Sequence, residues 1–244
     1  MLTDLAVVVI AIVAGAVSAV TGFGIGSLLT PVLALSVDTR MAVAAVAIPH
    51  VIGTAVRFRL LHGAVDRRVL WSFGLTSAAG GLAGAALSSV ASNRWLNVVF
   101  GALLLFAAVS EVTGLARRMR FRGWAAWLAG AVSGLLGGLV GNQGGIRSAA
   151  LLGFDLSKEK FVATATAVAL FVDGARLPVY VVNRGSDMLM LWPEIAIATA
   201  GVIAGTVLGS RVLTRVPDVW FRRVLALILA LLGAAMLRHG FAPP

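Results

Sequence analysis

Ten apolar stretches that are almost free of charge make up most of the 244-residue chain. Charged residues are 12% of the total, whereas an average soluble domain has about 25%. So little charge cannot cover a surface that faces water, so the exterior must face lipid. The stretches are 5–21, 22–37, 41–60, 69–91, 95–115, 124–140, 144–156, 161–182, 189–210 and 219–238.

These stretches predict helices rather than the strands of a membrane barrel. Residues 225–232 read Leu-Ala-Leu-Ile-Leu-Ala-Leu-Leu, without the alternation that a barrel strand needs. All six tryptophans fall at the first turn of a stretch, where an indole ring reaches the headgroup level of a bilayer. We therefore predict an all-α polytopic membrane protein with 8 long transmembrane helices and 2 short, broken half-helix segments.

Composition and motifs exclude several classes of function. The chain has no cysteine, which removes disulfides, thiolate metal sites and cysteine nucleophiles. Its net charge of +10 is explained by Lys and Arg in cytoplasmic loops, and without aromatic–basic alternation we expect no nucleic acid partner. Because the phosphate-loop and His-Glu-x-x-His motifs are also missing, we expect neither an enzyme nor a bound cofactor or metal.

Two of the stretches are short and begin in a cluster of glycines. The first cluster is Gly22-Phe23-Gly24-Ile25-Gly26, and the second, at 137–145, reads Gly-Gly-Leu-Val-Gly-Asn-Gln-Gly-Gly. A glycine weakens a helix by about 1 kcal/mol relative to alanine. Several nearby glycines therefore predict that the helix is interrupted in segments 22–37 and 137–154.

The second half of the chain repeats the first. Residues 79–89 and 200–210 are identical at six of eleven positions, and small residues recur there at the spacing that lets helices pack closely. Other matches follow in the same order along both halves. They pair 15–18 with 130–133 at an offset of 115, Arg57 with Arg176 at 119, and Trp71 with Trp192 at 121.

The repeat defines the organisation of one integral membrane domain. Residues 1–116 are the N-terminal repeat, 117–123 a basic cytoplasmic linker and 124–244 the C-terminal repeat. If both broken segments cross the bilayer, 14 of the 20 cations lie inside, against 11 if both are re-entrant. Because cations favour the cytoplasmic side, crossing segments and inverted repeats are preferred, with both termini outside; the re-entrant arrangement is the alternative.

Duplicated halves with matching broken segments are typical of secondary transporters, whose site lies where the broken segments meet. Arg147 is the leading site residue because it opens a predicted short helix at 146–154, where free N–H groups and an arginine fork suit an oxyanion. A loop charge at the membrane surface is the alternative role for Arg147. The other predicted substrate ligands are Asn142, Gln143, Gly144, Gly145, Ser27, Gly24, Gly26, Thr30, Ser18 and Ser133.

Two of these ligands, Ser18 and Ser133, have the alternative of bonding carbonyls of their own helix. Four ionisable residues are candidates for coupling or gating. Asp173 and Arg176 share a helix face and form either structural glue or a gate. His50 either titrates near neutral pH or packs as a hydrogen-bonded histidine. Arg57 either joins these residues or snorkels to the interface.

The glycine clusters, together with Thr30-Pro31 and the small-residue segments 40–44 and 160–166, resemble the TauE/SafE family of membrane transporters. This family is also called the 4-toluene sulfonate uptake permease family. The resemblance covers nearly the whole chain. It implies transport of small anions such as sulfite or organosulfonates across the bacterial inner membrane by a multi-pass protein, without settling which anion.

We therefore predict a secondary transporter, an exporter of a small sulfur-containing anion by alternating access at a midplane site. An ion or pH gradient would supply the energy, since the chain has no nucleotide-binding motif. An anion channel of the same architecture is the alternative, and a membrane scaffold without transport is a more distant one. The expected partners are the anion and the lipid bilayer, while homo-oligomerisation, coupling ion and direction are left open.

Overall fold

The computed structural model describes residues 2–119, 121–142, 144–213 and 218–242. Over these residues the secondary structure is helical and contains no strand, as predicted. Short 3-10 turns at His62–Ala64 and Leu152–Phe154 and a short helix at Leu115–Arg118 connect the main helices. The main helices are α1 (Leu2–Thr21), α2 (Ile25–Leu33), α3 (Thr39–Leu61), α4 (Arg67–Val90), α5 (Asn93–Thr113), α6 (Trp124–Val140), α7 (Gly144–Leu151), α8 (Lys158–Met190), α9 (Trp192–Leu213) and α10 (Asp218–Phe241).

Six helices in the described part of the chain are long and apolar enough to cross a membrane, namely α3, α4, α5, α8, α9 and α10. The apolar segments of α1 and α6 are shorter, at Leu5–Thr21 and Trp124–Val140. The tryptophans lie within the first five residues of their helices and are 49% to 78% exposed, as expected for side chains at a membrane interface. The chain is a multi-pass membrane protein.

Both predicted helix breaks are present. Gly22 and Gly24 have φ angles of 80° and 128° between α1 and α2, and Gly141 has a φ of 74° between α6 and α7. Residues with a Cβ atom rarely adopt these angles, so glycine is what allows the chain to turn here. The predicted short helix at 146–154 begins earlier, at Gly144, so Arg147 lies in its first turn rather than opening it.

One predicted boundary is wrong. The sequence separates stretches 161–182 and 189–210 by a polar segment, but α8 runs through it as one 33-residue helix. Asn183 Nδ2 donates to the Val179 carbonyl at 2.9 Å, and Arg184 pairs with Asp187 at 3.2 Å. These polar side chains therefore bond along the helix instead of ending it. At about 50 Å, α8 exceeds the roughly 30 Å of hydrocarbon in a bilayer.

Glycines bring two pairs of helices into close contact, α4 with α6 and α1 with α9. An ideal Cβ atom on Gly84 of α4 would lie 2.0 Å from the carbonyl oxygen of Leu135 in α6. A Cβ atom on Gly205 of α9 would lie 2.0 Å from the carbonyl oxygen of Ile12 in α1. A larger residue at either position would push the backbones apart. The close packing predicted for the small-residue segments is confirmed.

Helices α3 and α8 run antiparallel to each other. His50 of α3 contacts Asp173 of α8, and Arg57, seven residues further along α3, contacts Thr166, seven residues earlier in α8. Two polar helix faces are therefore buried against each other in the interior of the bundle.

Helices α5 and α10 are also antiparallel. Arg94 near the start of α5 donates from Nε to the Gly240 carbonyl near the end of α10 at 2.9 Å. Glu111 near the end of α5 pairs with Arg222 near the start of α10 at 3.4 Å. Each of the four pairs α1–α9, α4–α6, α3–α8 and α5–α10 joins the first half of the chain to the second. The two halves therefore pack against each other through these four helix pairs.

We predict that Gly84→Ala lowers stability by about 1–3 kcal/mol, because the added methyl group overlaps the Leu135 carbonyl. The measurement is thermal unfolding of the purified protein in detergent. Gly185→Ala in α8 is the matched control, because a Cβ atom there would meet its nearest neighbour at an ordinary 3.8 Å. Equal melting temperatures for the two variants would contradict the close packing of α4 on α6.

Candidate functional site

Five ionisable side chains come together in the interior of the bundle. They form the central charge cluster: His50 and Arg57 from α3, Arg147 from α7, and Asp173 and Arg176 from α8. None is more than 8% exposed, and Arg147 lies close enough to the other four to interact with each of them electrostatically. Charges buried inside a membrane protein are costly and mark functional sites.

Asp173 neutralises one side of this cluster. Its Oδ1 accepts hydrogen bonds from Arg176 Nε at 3.0 Å and Nη2 at 2.8 Å, and its Oδ2 lies 2.8 Å from His50 Nδ1. Arg176 Nη1 donates to the Gly137 carbonyl at 2.6 Å, and its guanidinium carbon lies 6.0 Å from the centre of the Tyr180 ring. Arg176 is thus fully bonded, with its charge matched by one carboxylate.

The other two arginines have no carboxylate within 4 Å in the described part of the chain. Arg57 donates from Nε to Thr166 Oγ1 at 2.9 Å, and from Nη1 to both the carbonyl of Ser18, at 2.6 Å, and its hydroxyl. Arg147 Nη2 donates to the Gly22 carbonyl at 3.0 Å, and Arg57 Nη2 reaches the same oxygen at 3.4 Å. Two positive charges therefore meet at one carbonyl without a negative partner.

Arg147 has free hydrogen-bonding capacity inside the protein. Its side chain is 2% exposed, yet Nε and Nη1 have no hydrogen-bond partner. The hydroxyls of Thr30 and Thr54 are likewise buried without a partner. Such groups cost free energy unless something bonds them. The geometry therefore leaves donors available next to uncompensated positive charge.

The two glycine breaks lie against each other. A Cβ atom on Gly26 of α2 would lie 2.1 Å from the carbonyl oxygen of Gly141 in the second break. Ser27 Oγ donates to Asn142 Oδ1 at 3.0 Å, which ties α2 to the same break. The predicted meeting of the broken segments from the two halves is therefore present, and it adjoins the central charge cluster through Gly22 and Gly141.

The remaining predicted ligands surround these breaks. Gly24 caps the start of α2, and the first residues of α7 are Gly144 and Gly145. Gly144 packs so closely that a Cβ atom there would lie 2.2 Å from the Cβ atom of Phe23 in the first break. Ser133 is fully buried in α6, one turn before Gly137. Gln143 lies outside the described residues.

Arg57 and Arg176 make matching contacts near the ends of α1 and α6. Arg57 Nη1 binds the carbonyl of Ser18, and Arg176 Nη1 binds the carbonyl of Gly137. Donors and acceptors are both offset by 119 residues, from 57 to 176 and from 18 to 137. The sequence match that paired Ser18 with Ser133 has an offset of 115, four residues or about one helical turn less than the offset of these contacts. Segments rich in Gly, Ala and Ser can be aligned almost equally well in several registers, which explains the difference.

Two alternatives from the sequence are wrong. Arg147 is not a loop charge at the membrane surface, since it is almost completely buried. Arg57 does not snorkel to the interface, since it is 4% exposed. The exposed arginine at this end of α3 is Arg59, two residues further along the helix.

The sequence reasoning did not identify Thr166, Tyr180 and Thr54. Thr166 bonds Arg57, and the Tyr180 hydroxyl donates to the Gly138 carbonyl. Helical spacing could have found these residues: Thr166, Tyr180 and the α8 members of the cluster share one face of α8, and Thr54 lies between His50 and Arg57 on one face of α3.

A cavity of about 400 Å³ reaches the cluster between α3 and α8. Asp173 is its charged residue, and its other walls are apolar. They are Val51, Gly174, Leu177, Pro178, Val181 and Val182.

A family model described as "Sulfite exporter TauE/SafE" matches residues 7–236 of the chain. The match includes both glycine breaks and every member of the central charge cluster. The chain matches no curated protein and no solved structure.

We predict that Asp173→Asn lowers stability by about 3–5 kcal/mol, because Arg176 then keeps a buried charge without a carboxylate. Thermal unfolding in detergent measures the loss. The double variant Asp173→Asn/Arg176→Gln removes both charges and should recover part of the stability. If the stability loss of the double variant equals the sum of the losses in Asp173→Asn and Arg176→Gln, the two side chains are not coupled.

Proposed function

The chain belongs to the TauE/SafE family of membrane sulfite exporters, and we propose that its central charge cluster binds a small sulfur oxyanion, such as sulfite or an organosulfonate, for export across the bacterial inner membrane. The observation that carries this proposal is Arg147, a fully buried arginine whose Nε and Nη1 have no hydrogen-bond partner, beside a second arginine that lacks a carboxylate. A planar arginine fork suits the paired oxygens of a sulfite or sulfonate group.

Each predicted ligand has a specific role in this proposal. Arg147 supplies the direct donors, and the buried hydroxyl of Thr30 adds a neutral one. Arg57 adds positive charge, because its own N–H groups already bond the protein. The other predicted ligands hold the breaks in place or offer backbone N–H groups near the start of α7. They are Ser18, Ser27, Ser133, Gly24, Gly26, Asn142, Gly144 and Gly145.

We propose that the two halves are inverted repeats, with five elements each and eight long helices in all. Helices α3 and α8 hold the same place in the two halves, as do α5 and α10, and each of these pairs is antiparallel. Helix α1 corresponds to α6 in the second half, and α4 corresponds to α9. The contact of α1 with α9 therefore has its counterpart in the contact of α6 with α4. An axis in the membrane plane relates elements in this way.

The contact of Arg57 with the end of α1 supports a crossing role for the broken segments. Arg57 lies near the end of α3 and bonds Ser18 and Gly22 near the end of α1. The ends of α1 and α3 are therefore at the same level. The chain must return through segment 22–38 before α3 starts, which brings α2 into the interior. In the second half, Arg176 in the middle of α8 bonds the Gly137 carbonyl near the end of α6, so the end of α6 lies beside the middle of α8.

Alternating access would be driven by a pH gradient acting on His50 and Asp173. Asp173 contacts both His50 and Arg176. A proton on His50 therefore places two positive charges beside this one carboxylate instead of one. Arg147 on α7 and Arg57 on α3 face the same cluster, so the charge change is felt where the anion binds.

We predict that Arg147→Gln lowers saturable uptake of labelled sulfite into proteoliposomes by about 100-fold, because the direct donors are lost. Arg147→Lys should also lower it, since lysine keeps the charge but loses the fork. Arg59→Gln, which removes an exposed arginine of α3, is the matched control and should transport normally. Normal uptake in both Arg147 variants would exclude this site, and currents far above carrier rates would favour a channel.

We predict that His50→Asn abolishes the stimulation of sulfite flux by a pH gradient while slow flux down the sulfite gradient persists. The reason is that the titrating partner of Asp173 is removed without changing the arginines. His62→Asn, in the exposed turn after α3, is the matched control. A gradient response that survives in His50→Asn would assign coupling to other residues.

A further inference from the structure

We propose that the central charge cluster selects its anion by charge and binds a dianion in preference to a monoanion of the same shape. This inference rests on the function proposed above and specifies the substrate of the same site. It follows from the number of buried charges and from which arginine N–H groups are already bonded.

The buried charges do not balance. With His50 neutral, Asp173 offsets Arg176, and Arg57 and Arg147 leave an excess of two positive charges. No other Asp, Glu, Lys, Arg or His side chain is buried in the described part of the chain. Among the described residues, no buried carboxylate other than Asp173 is therefore available to the two remaining arginines.

One anion can interact with both arginines. Arg147 Nη2 and Arg57 Nη2 lie 3.0 and 3.4 Å from the same Gly22 carbonyl oxygen, so the two guanidinium groups are neighbours. In a site with little water the mutual repulsion of two cations is large, and each unit of negative charge on a bound anion adds an attraction to both cations that offsets it. A dianion neutralises both charges, whereas a monoanion leaves one of them uncompensated.

The two arginines contribute in different ways. Arg147 has two nitrogens without a hydrogen-bond partner, Nε and Nη1, and offers direct hydrogen bonds to any oxyanion. Arg57 uses each of its terminal nitrogens on protein oxygens, so it contributes charge rather than a free donor. Loss of Arg147 should therefore weaken every oxyanion, while loss of the Arg57 charge should weaken a dianion much more than a monoanion.

The test compares labelled sulfite, at a pH where it is doubly ionised, with labelled methanesulfonate, a monoanion with the same three-oxygen head. Half-saturating concentrations are measured in proteoliposomes without a pH gradient. We expect the wild type to prefer sulfite by about tenfold or more. Arg57→Gln should lose most of this preference, Arg57→Lys should keep it, and Arg59→Gln should match the wild type.

Three results would overturn the proposal. They are equal or better binding of methanesulfonate by the wild type, an unchanged preference in folded Arg57→Gln, and a preference lost equally in Arg57→Lys and Arg57→Gln. Equal or better binding of methanesulfonate by the wild type overturns the proposal even if the variants do not fold. If methanesulfonate uptake is saturable and depends on Arg147 but sulfite is not preferred, charge selection is refuted and the proposed function stands. If neither anion is taken up, the proposed function is refuted as well.

Discussion

Three arginines buried in a bundle that faces lipid are the constraint on which the rest of the structure depends. A guanidinium group cannot lose its charge, so each must find oxygen acceptors inside the protein. The ends of α1 and α6 provide them, because the carbonyl oxygens of Ser18 and Gly137 each accept one backbone N–H, from Gly22 and Gly141, and keep a second lone pair for an arginine. Arg57 bonds the carbonyl of Ser18 and Arg176 that of Gly137. The glycine breaks therefore serve two purposes: they interrupt the helices, and they supply the acceptors that keep arginine in the interior.

The two halves share this device but use it unequally. At the 119-residue offset of the arginine contacts, Leu28 and Thr54 stand where the second half has Arg147 and Asp173. The first half contributes an arginine held by carbonyls, while the second adds a carboxylate and a further arginine with free N–H groups. The central charge cluster is therefore asymmetric with respect to the two halves of the chain.

Hydropathy and glycine clusters predicted most of the helices and both breaks, because bilayer spans are long and glycine interruptions are local. The polar segment after 182 was misassigned, since Arg184 and Asp187 bond each other along α8 instead of ending it. Four candidates could be identified because they are ionisable residues within apolar stretches, namely His50, Arg147, Asp173 and Arg176. The inward direction of Arg57 and the unbonded N–H groups of Arg147 could not be predicted, because they depend on how α3, α7 and α8 pack.

The most direct test of the central claim is to locate the anion itself. Selenite has the shape of sulfite and, at a pH where both are doubly ionised, its charge, and the anomalous scattering of selenium marks its position in crystals of the protein. We expect one selenium peak beside the guanidinium group of Arg147, with a selenite oxygen within hydrogen-bond distance of Nε or Nη1 and with Arg57 as the nearest second cation. A selenium peak at another place in the bundle, with Arg147 bonded to a protein carboxylate, would contradict the account.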